Sequence, residues 1–341
     1  MARAKHSGRF IRSLALLLLL AALAAGFAWQ HLQEFAAQPL GLPSGGTTLV
    51  IEPGDHFGEV LGKLRAAGVG QGYDLEWKVL AKTMRVASRL QAGEYALSPA
   101  LTPRKLLLML ARGEVVRYRF TLVEGWSFRD LHAALLAEPN LAHDSASLSE
   151  PELMTKLGRE GEAAEGRFLP ETYFFTRGSS DIDLLGRAAK AMDTTLAEAW
   201  ATRDAGLLLS SPEELLTLAS IVEKETGQAS ERPQIAGVFV HRLKLGMRLQ
   251  TDPTVIYGLG SAYDGNIRKT DLETDTPYNT YTRAGLPPTP IAMPGKAAIE
   301  AAAHPSKSDA LYFVARGNGE HVFSATLDEH NAAVRKYQLK Q

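Results

Sequence analysis

The sequence predicts an α+β protein in three parts: an N-terminal membrane anchor, a small α+β module and a larger C-terminal domain of mixed α/β character. Three observations predict it. A basic tip runs directly into an apolar stretch. A strand, a glycine turn and an amphipathic helix follow one another twice in the first half. The stretch from Ser211 to the end opens on a capped apolar helix and closes on a hairpin and a final helix. With 341 residues, 45% hydrophobic and 22% charged, there is material for two ordinary domains beyond the anchor. Cysteine is absent, which excludes a disulfide framework, thiolate chemistry and a zinc–cysteine site. A formal net charge of -1 gives no electrostatic case for nucleic acid and favours an uncharged or mixed-charge polymer as ligand.

Arg3, Lys5, Arg9 and Arg12 precede an unbroken apolar run from Leu14 to Trp29. Positive charge ahead of such a run holds the tip in the cytoplasm and sends the rest of the chain across the membrane. The run falls a little short of the roughly 20 residues that span a bilayer comfortably, and Ala22-Leu23-Ala24 could serve a signal peptidase. A retained single-pass anchor over residues 1–30 is the expectation. Residues 31–46, with Pro39, Pro43 and paired glycines, read as a linker.

The module is expected over 47–136. Val50-Ile-Glu-Pro-Gly54-Asp-His-Phe57, continuing to Val60 and Leu64, is matched by Thr121-Leu-Val-Glu-Gly125-Trp-Ser-Phe128, continuing to Leu131 and Leu135. Between them, Leu90 to Leu97 alternates as a strand, and Thr102-Pro103 caps a helix from Arg104 to Ala111. This βα pattern, opening on a Pro-Gly-Asp turn, resembles a small carbohydrate-binding module of the LysM kind.

From 137 to about 210 the chain reads as helical and polar, apart from Glu165-Gly-Arg-Phe-Leu-Pro-Glu-Thr-Tyr-Phe-Phe175. There Tyr173 is open to two readings, a sugar platform or ordinary core. Ser211-Pro-Glu-Glu-Leu-Leu-Thr-Leu-Ala-Ser-Ile-Val-Glu-Lys-Glu-Thr-Gly227 follows. Ser211 suits an N-cap, Pro212 the first helical position and Glu214 a capping box. Leu215, Leu218, Ala219 and Val222 recur at helical spacing, with Gly227 expected to close the helix left-handed. Glu223 and Glu225 thus fall in the last turn. Unpaired carbonyls there, together with burial, disfavour negative charge and hold a proton on a carboxyl. A carboxylic acid protonated near neutrality is what a general acid requires. The competing reading is two solvated glutamates. The pair lies about 160° apart around the helix, so they cannot grip one glycosidic oxygen together, which weakens a two-carboxyl hydrolase. Periodicity separates Glu225 from Glu223 only slightly.

A second helix begins near Ser230 and Pro233, with Ile235, Val238, Phe239 and Leu243 as its stripe and Gly246 at its end. In Leu249-Gln-Thr-Asp-Pro-Thr-Val-Ile-Tyr-Gly258, Asp252 is expected as N-cap and Pro253 as first helical residue. Thr276 to Ile291 is too rich in proline and hydroxyls for a helix or central strand, and reads either as a loop along a binding groove or as one tied down by its own side chains. Gln250, Asp252, Thr254, Tyr257, Tyr278, Asn279, Thr280 and Tyr281 are the candidate substrate-binding residues. A helix after Pro294, a hairpin turning at Gly317-Asn-Gly and a helix to Tyr337 complete the chain. There is no HExxH, and His241, His304, His321 and His330 lack metal-ligand spacing. A GxSxG elbow, an SxxK–KTG pair and a phosphate loop are likewise missing.

The runs LASIVEKETGQASERPQIAGVFVHRLKLGMRLQTDPTVIYGLG, LETDTPYNTYTRAGLPPTPIAMPG and AAAHPSKSDALYFVARGNGEHVFSATLDEHN resemble the endolytic murein transglycosylase family, also called YceG-like or MltG. The resemblance implies a lytic transglycosylase domain over 137–341. Such an enzyme cuts glycan strands between N-acetylmuramic acid and N-acetylglucosamine, leaves a 1,6-anhydromuramoyl end and uses no metal or cofactor. It places the catalytic residue at Glu225, and Glu225-Thr226 also resembles the Glu-Ser/Thr step of lysozyme-like transglycosylases; Glu223 is expected to support the motif through a hydrogen bond. It further implies an inner-membrane protein with its catalytic region in the periplasm, peptidoglycan synthases as partners and a role in terminating strand elongation. Two alternatives stay open: a muramidase that hydrolyses the same bond, and a non-catalytic peptidoglycan-binding scaffold.

Overall fold

The computed structural model describes residues 4–339; Arg3 and the C-terminal Gln341 lie outside them. Two compact units divide the chain, Met1–Tyr118 and Arg119–Gln341.

The first unit begins with α1 (Ala4–Ala37). Its stretch Phe10–Ala37 is long and apolar enough to cross a membrane, and Leu16 to Leu20 are all exposed. Of residues 31–46, expected as a linker, those up to Leu42 pack apolar side chains, while Pro43 to Gly46 stay largely exposed. The helix runs on to Ala37, and Leu32, Phe35, Ala36, Leu40 and Leu42 are buried. Leu32, Phe35 and Ala36 recur at helical spacing, so α1 keeps an apolar face beyond its exposed leucines, and Phe35 meets Trp77 edge-on at 5.4 Å. Pro39 lies just past the end of the helix rather than within a loose tether.

β1 (Thr47–Ile51) and β2 (Gly93–Leu97) pair antiparallel, from Thr47 opposite Leu97 to Ile51 opposite Gly93. Between them lie α2 (Phe57–Ala66) and α3 (Asp74–Thr83), and α4 (Pro103–Arg112) follows, capped by Thr102 as its sequence predicts. Period-two alternation turns Leu49 and Ile51 inward, where they join Leu64, Trp77, Leu106 and Leu110 in one core.

β3 (Tyr118–Thr121) leads into the second unit. The unit boundary thus falls at 118, ahead of the expected 136, and the second copy of the repeat lies in the C-terminal unit. The copy is locally faithful. Gly125 at φ 78 and α5 (Phe128–Leu136) reproduce Gly54 at φ 95 and α2, because a positive φ between strand and helix is open to glycine without a Cβ penalty. β4 (Leu141–Ala142), α6 (Glu150–Lys156), β5 (Thr172–Phe175), β6 (Ser179–Ser180) and α7 (Asp181–Thr202) occupy the next stretch, with β3 paired to β5 and β4 to β6. Tyr173 is buried and donates to the Leu169 carbonyl at 2.7 Å, which makes it core rather than a sugar platform.

α8 (Pro212–Glu225) is the axis of this unit. The Ser211 hydroxyl accepts from Glu214 N, and the Glu214 carboxylate reaches back to Ser210 N at 2.6 Å. All eight residues from Leu215 to Val222 are buried. α9 (Arg232–Lys244), α10 (Asp252–Leu259), α11 (Lys269–Glu273) and α12 (Lys296–Ala303) follow, and α7, α9 and α12 enclose α8. A helix apolar on every side carries its last carboxyls into the protein. Its end differs from expectation: Thr226 departs extended at φ -147, and Gly227 does not take a left-handed φ. The terminal hairpin, β7 (Tyr312–Ala315) with β8 (His321–Ser324), and α13 (Leu327–Tyr337) stand where the sequence predicts them.

Candidate active site

Glu225 is the last residue of α8 and lines a cleft of about 630 Å³. Burial pushes its carboxyl up to about 7; Thr251 opposes this by donating its hydroxyl to Oε1, Asp252 adds to it, and His321 and Arg242 oppose it. The result is an acid that holds a proton near neutrality in a cleft open to a ligand.

The LQTDPT segment forms one wall. α10 is capped one residue earlier than expected, at Thr251, so Asp252 is the first helical residue. Just before it, Gln250 sits at φ 50, a left-handed conformation that costs a non-glycine residue about 1–2 kcal/mol. That turn lets Gln250, Thr251 and Asp252 all line the Glu225 cleft. The Tyr281 hydroxyl donates to Asp252 at 2.6 Å and completes the wall.

Three of the candidate substrate-binding residues hold the loop instead. Asn279 is buried; its amide donates to the carbonyls of Asp271, Leu272 and Thr274, and its oxygen accepts from Tyr281 N. Thr280 and Thr254 are buried and share a hydrogen bond at 2.9 Å, while Thr280 Oγ1 accepts from Thr251 N. Together they lock the Thr276–Ile291 loop onto the start of α10. Composition could not separate loop-locking from sugar-binding polar groups, since both need hydroxyls and amides.

Glu223 faces another way. It accepts from Gly295 N at 2.9 Å and from Arg232 at 3.3 Å, and Arg232 also lies 3.6 Å from Glu124. Burial raises its carboxyl, Gly295 and Arg232 lower it, and Glu124 raises it. It ties the end of α8 to α9 and to the segment before α12.

Tyr257 and Tyr278 line a different cleft, of about 450 Å³, together with Glu165. Burial pushes Glu165 up to about 7; Phe128 N and the Tyr257 hydroxyl oppose this, and Glu150 and Asp130 add to it.

Sequence reasoning missed several groups. Thr251 stood between two chosen residues of the same motif. Arg242, on the buried side of α9, donates to the Leu311 and Leu249 carbonyls at 2.6 and 2.7 Å and lies over the Tyr312 ring at 5.1 Å. His330 lines the Glu225 cleft with Nδ1 buried and, among the described residues, without a hydrogen-bond partner. Helical spacing marks only the apolar residues of α9, and nothing local ties its arginine to a hairpin some 70 residues on.

Fold and cleft define an α+β protein with a desolvated carboxyl facing a cleft at the end of a buried helix. The chain belongs to the YceG-like family, whose sequence pattern matches residues 49–336. It is 35% identical over 268 residues to the endolytic murein transglycosylase of Bacillus subtilis (strain 168), covering 74% of each chain. It is 30% identical over 323 residues to the endolytic murein transglycosylase of Streptococcus pneumoniae (serotype 2, strain D39), covering 85% of this chain but only 58% of that longer relative. The crystal structure of a yceG-like protein from Listeria monocytogenes superposes with a TM-score of 0.55 at 30% identity, over 84% of this chain and 98% of the other.

Proposed function

We propose that the protein is a membrane-anchored endolytic lytic transglycosylase that cuts peptidoglycan glycan strands between N-acetylmuramic acid and N-acetylglucosamine. The observation that carries the reading is Glu225, an acid protonated near neutrality in an open polar cleft. The names of the relatives supply the substrate class.

Glu225 donates its proton to the leaving glycosidic oxygen as the bond to the muramoyl C1 breaks, and the substrate's N-acetyl group stabilises the developing cation. The Glu225 carboxylate then takes the proton of the muramoyl C6 hydroxyl as that oxygen bonds to C1. The anhydro ring closes, the acid is regenerated and no water is consumed. Nucleophile and electrophile belong to one sugar, so the effective concentration is high. Gln250, Asp252 and Tyr281 orient the sugar hydroxyls and acetamido groups, and Glu223 holds the end of the catalytic helix.

α1 keeps the protein in the inner membrane with the residues that follow it on the periplasmic side, where synthases deliver new strands whose elongation the cut ends. The antiparallel β1–β2 pair enclosing α2 and α3 supports a LysM-like glycan-binding role for the first unit. Digestion of isolated sacculi followed by mass spectrometry tests the reading. Anhydromuramoyl ends are the expected product; reducing ends would make the protein a muramidase, and no new ends would make it a scaffold.

A further inference from the structure

The second cleft has no part in the chemistry just described, yet it borders the catalytic one at three places. Lys224 lines the second cleft and Glu225 the first; Pro253 lines the second and Asp252 the first; the Thr276–Ile291 loop gives Tyr278 to the second and Tyr281 to the first. Consecutive residues are only ~3.8 Å apart, so the end of α8 and the start of α10 form a thin partition with a cleft on each side.

The second cleft's lining is selective. Tyr257 and Tyr278 stand edge to face with ring centres 4.8 Å apart, and Tyr263 adds a third ring. Glu165 is 5% exposed, and Phe128 N donates to both of its oxygens at 3.1 Å. When protonated, such a carboxyl both donates and accepts a hydrogen bond. Asp130 and Glu150 lie at the same cleft beside Arg129 and Lys224. These charges offset one another, which leaves no net attraction for a phosphate or another compact anion. An uncharged ring with apolar faces and amide or hydroxyl substituents suits tyrosine faces around a buried hydrogen-bonding group.

We propose that this tyrosine-lined cleft is a second sugar subsite, which holds amino-sugar residues of the same glycan strand next to the pair being cut at Glu225. The inference rests on reading Glu225 as the acid of glycosidic cleavage. Its consequence is the choice of an internal bond. A strand that ends on the second-cleft side of Glu225 leaves that cleft empty and forgoes its binding energy, whereas a bond well inside the strand uses both clefts at once.

Two measurements on the full-length protein test the subsite. The first is the ratio of kcat/KM on an octasaccharide to that on a tetrasaccharide of the glycan, read as anhydro-ended product. Tyr263→Ala and Glu165→Gln should each lower this ratio about tenfold, the loss of roughly one good contact. Products from long strands should shift toward cuts near strand ends. The second is calorimetric binding of the uncut octasaccharide to Glu225→Gln protein, which Tyr263→Ala should weaken by about the same factor. A ratio and an affinity that both stay at their parent values overturn the subsite, even where the wild-type protein yields anhydro ends. An equal loss on both lengths also overturns it, since that marks damage to the fold or to the catalytic cleft. Absence of anhydro ends from the wild-type protein overturns the function instead, and the calorimetric comparison still decides the subsite.

Discussion

Replacing Glu225 by Gln separates the two things its buried carboxyl does. Glutamine keeps the volume and an oxygen that accepts from Thr251, but it has no proton to transfer. Loss of a positioned general acid costs about 10²- to 10⁴-fold in rate, so cleavage should fall at least that far while glycan binding persists. Stability should move the other way. Burial raises the carboxyl from 4.5 to about 7, which makes its charged form costlier in the folded state by roughly 3 kcal/mol. A carboxyl raised on folding binds more protons folded than unfolded between those two values, so the wild-type protein loses stability as pH rises from 4.5 to about 7. Glu225→Gln escapes that loss. It should match the wild type in acid and exceed it above neutrality by up to roughly 3 kcal/mol, read as a rise of several degrees in the unfolding temperature of the C-terminal unit. Mass spectrometry of released muropeptides and thermal melts across pH 4 to 9 are the paired assays. Near wild-type release of anhydro ends, or a stability gain that does not grow with pH, would refute the assignment.

Three further outcomes are expected. Thr251→Val removes the hydroxyl that holds Glu225 down, so the alkaline limb of the pH–rate profile should move to higher pH; a limb that stays or moves down contradicts the role of that hydrogen bond. Glu223→Gln keeps an acceptor for Gly295 N but loses the charge facing Arg232; cleavage should drop about one to three orders of magnitude with the pH limb unmoved, and a loss as deep as that of Glu225→Gln would make Glu223 the acid. The protein should stay in the membrane fraction after carbonate washing, with protease access from the periplasmic side alone, because the Phe10–Ala37 stretch is long and apolar enough to cross a membrane and follows a basic tip; recovery of a soluble form beginning near Ala25 would show a cleaved signal.

Much of α8 was legible from residues alone. Local rules govern it: the Ser211 cap, Pro212 at the first turn and apolar recurrence to Val222 together set its span and carry Glu223 and Glu225 to its end. The two strand–glycine–helix copies were legible for the same reason, as was the terminal hairpin. Long-range contacts decided the rest. Residues 31–37 looked like the start of a tether because their partners, Trp77 among them, lie more than 40 residues away. The eight candidate binding residues carry similar polar side chains, yet Asn279, Thr280 and Thr254 face inward to lock a loop while Gln250, Asp252 and Tyr281 line the Glu225 cleft. Tyr257 and Tyr278 belong to another cleft, with a glutamate drawn from nearly a hundred residues earlier. By itself the sequence determined which helix ends in carboxyls, since capping and periodicity act within a few residues. Tertiary structure alone decided that Glu225 holds its proton, because that depends on water excluded by packing and on Thr251, Asp252, Arg242 and His321, which other elements bring to one place.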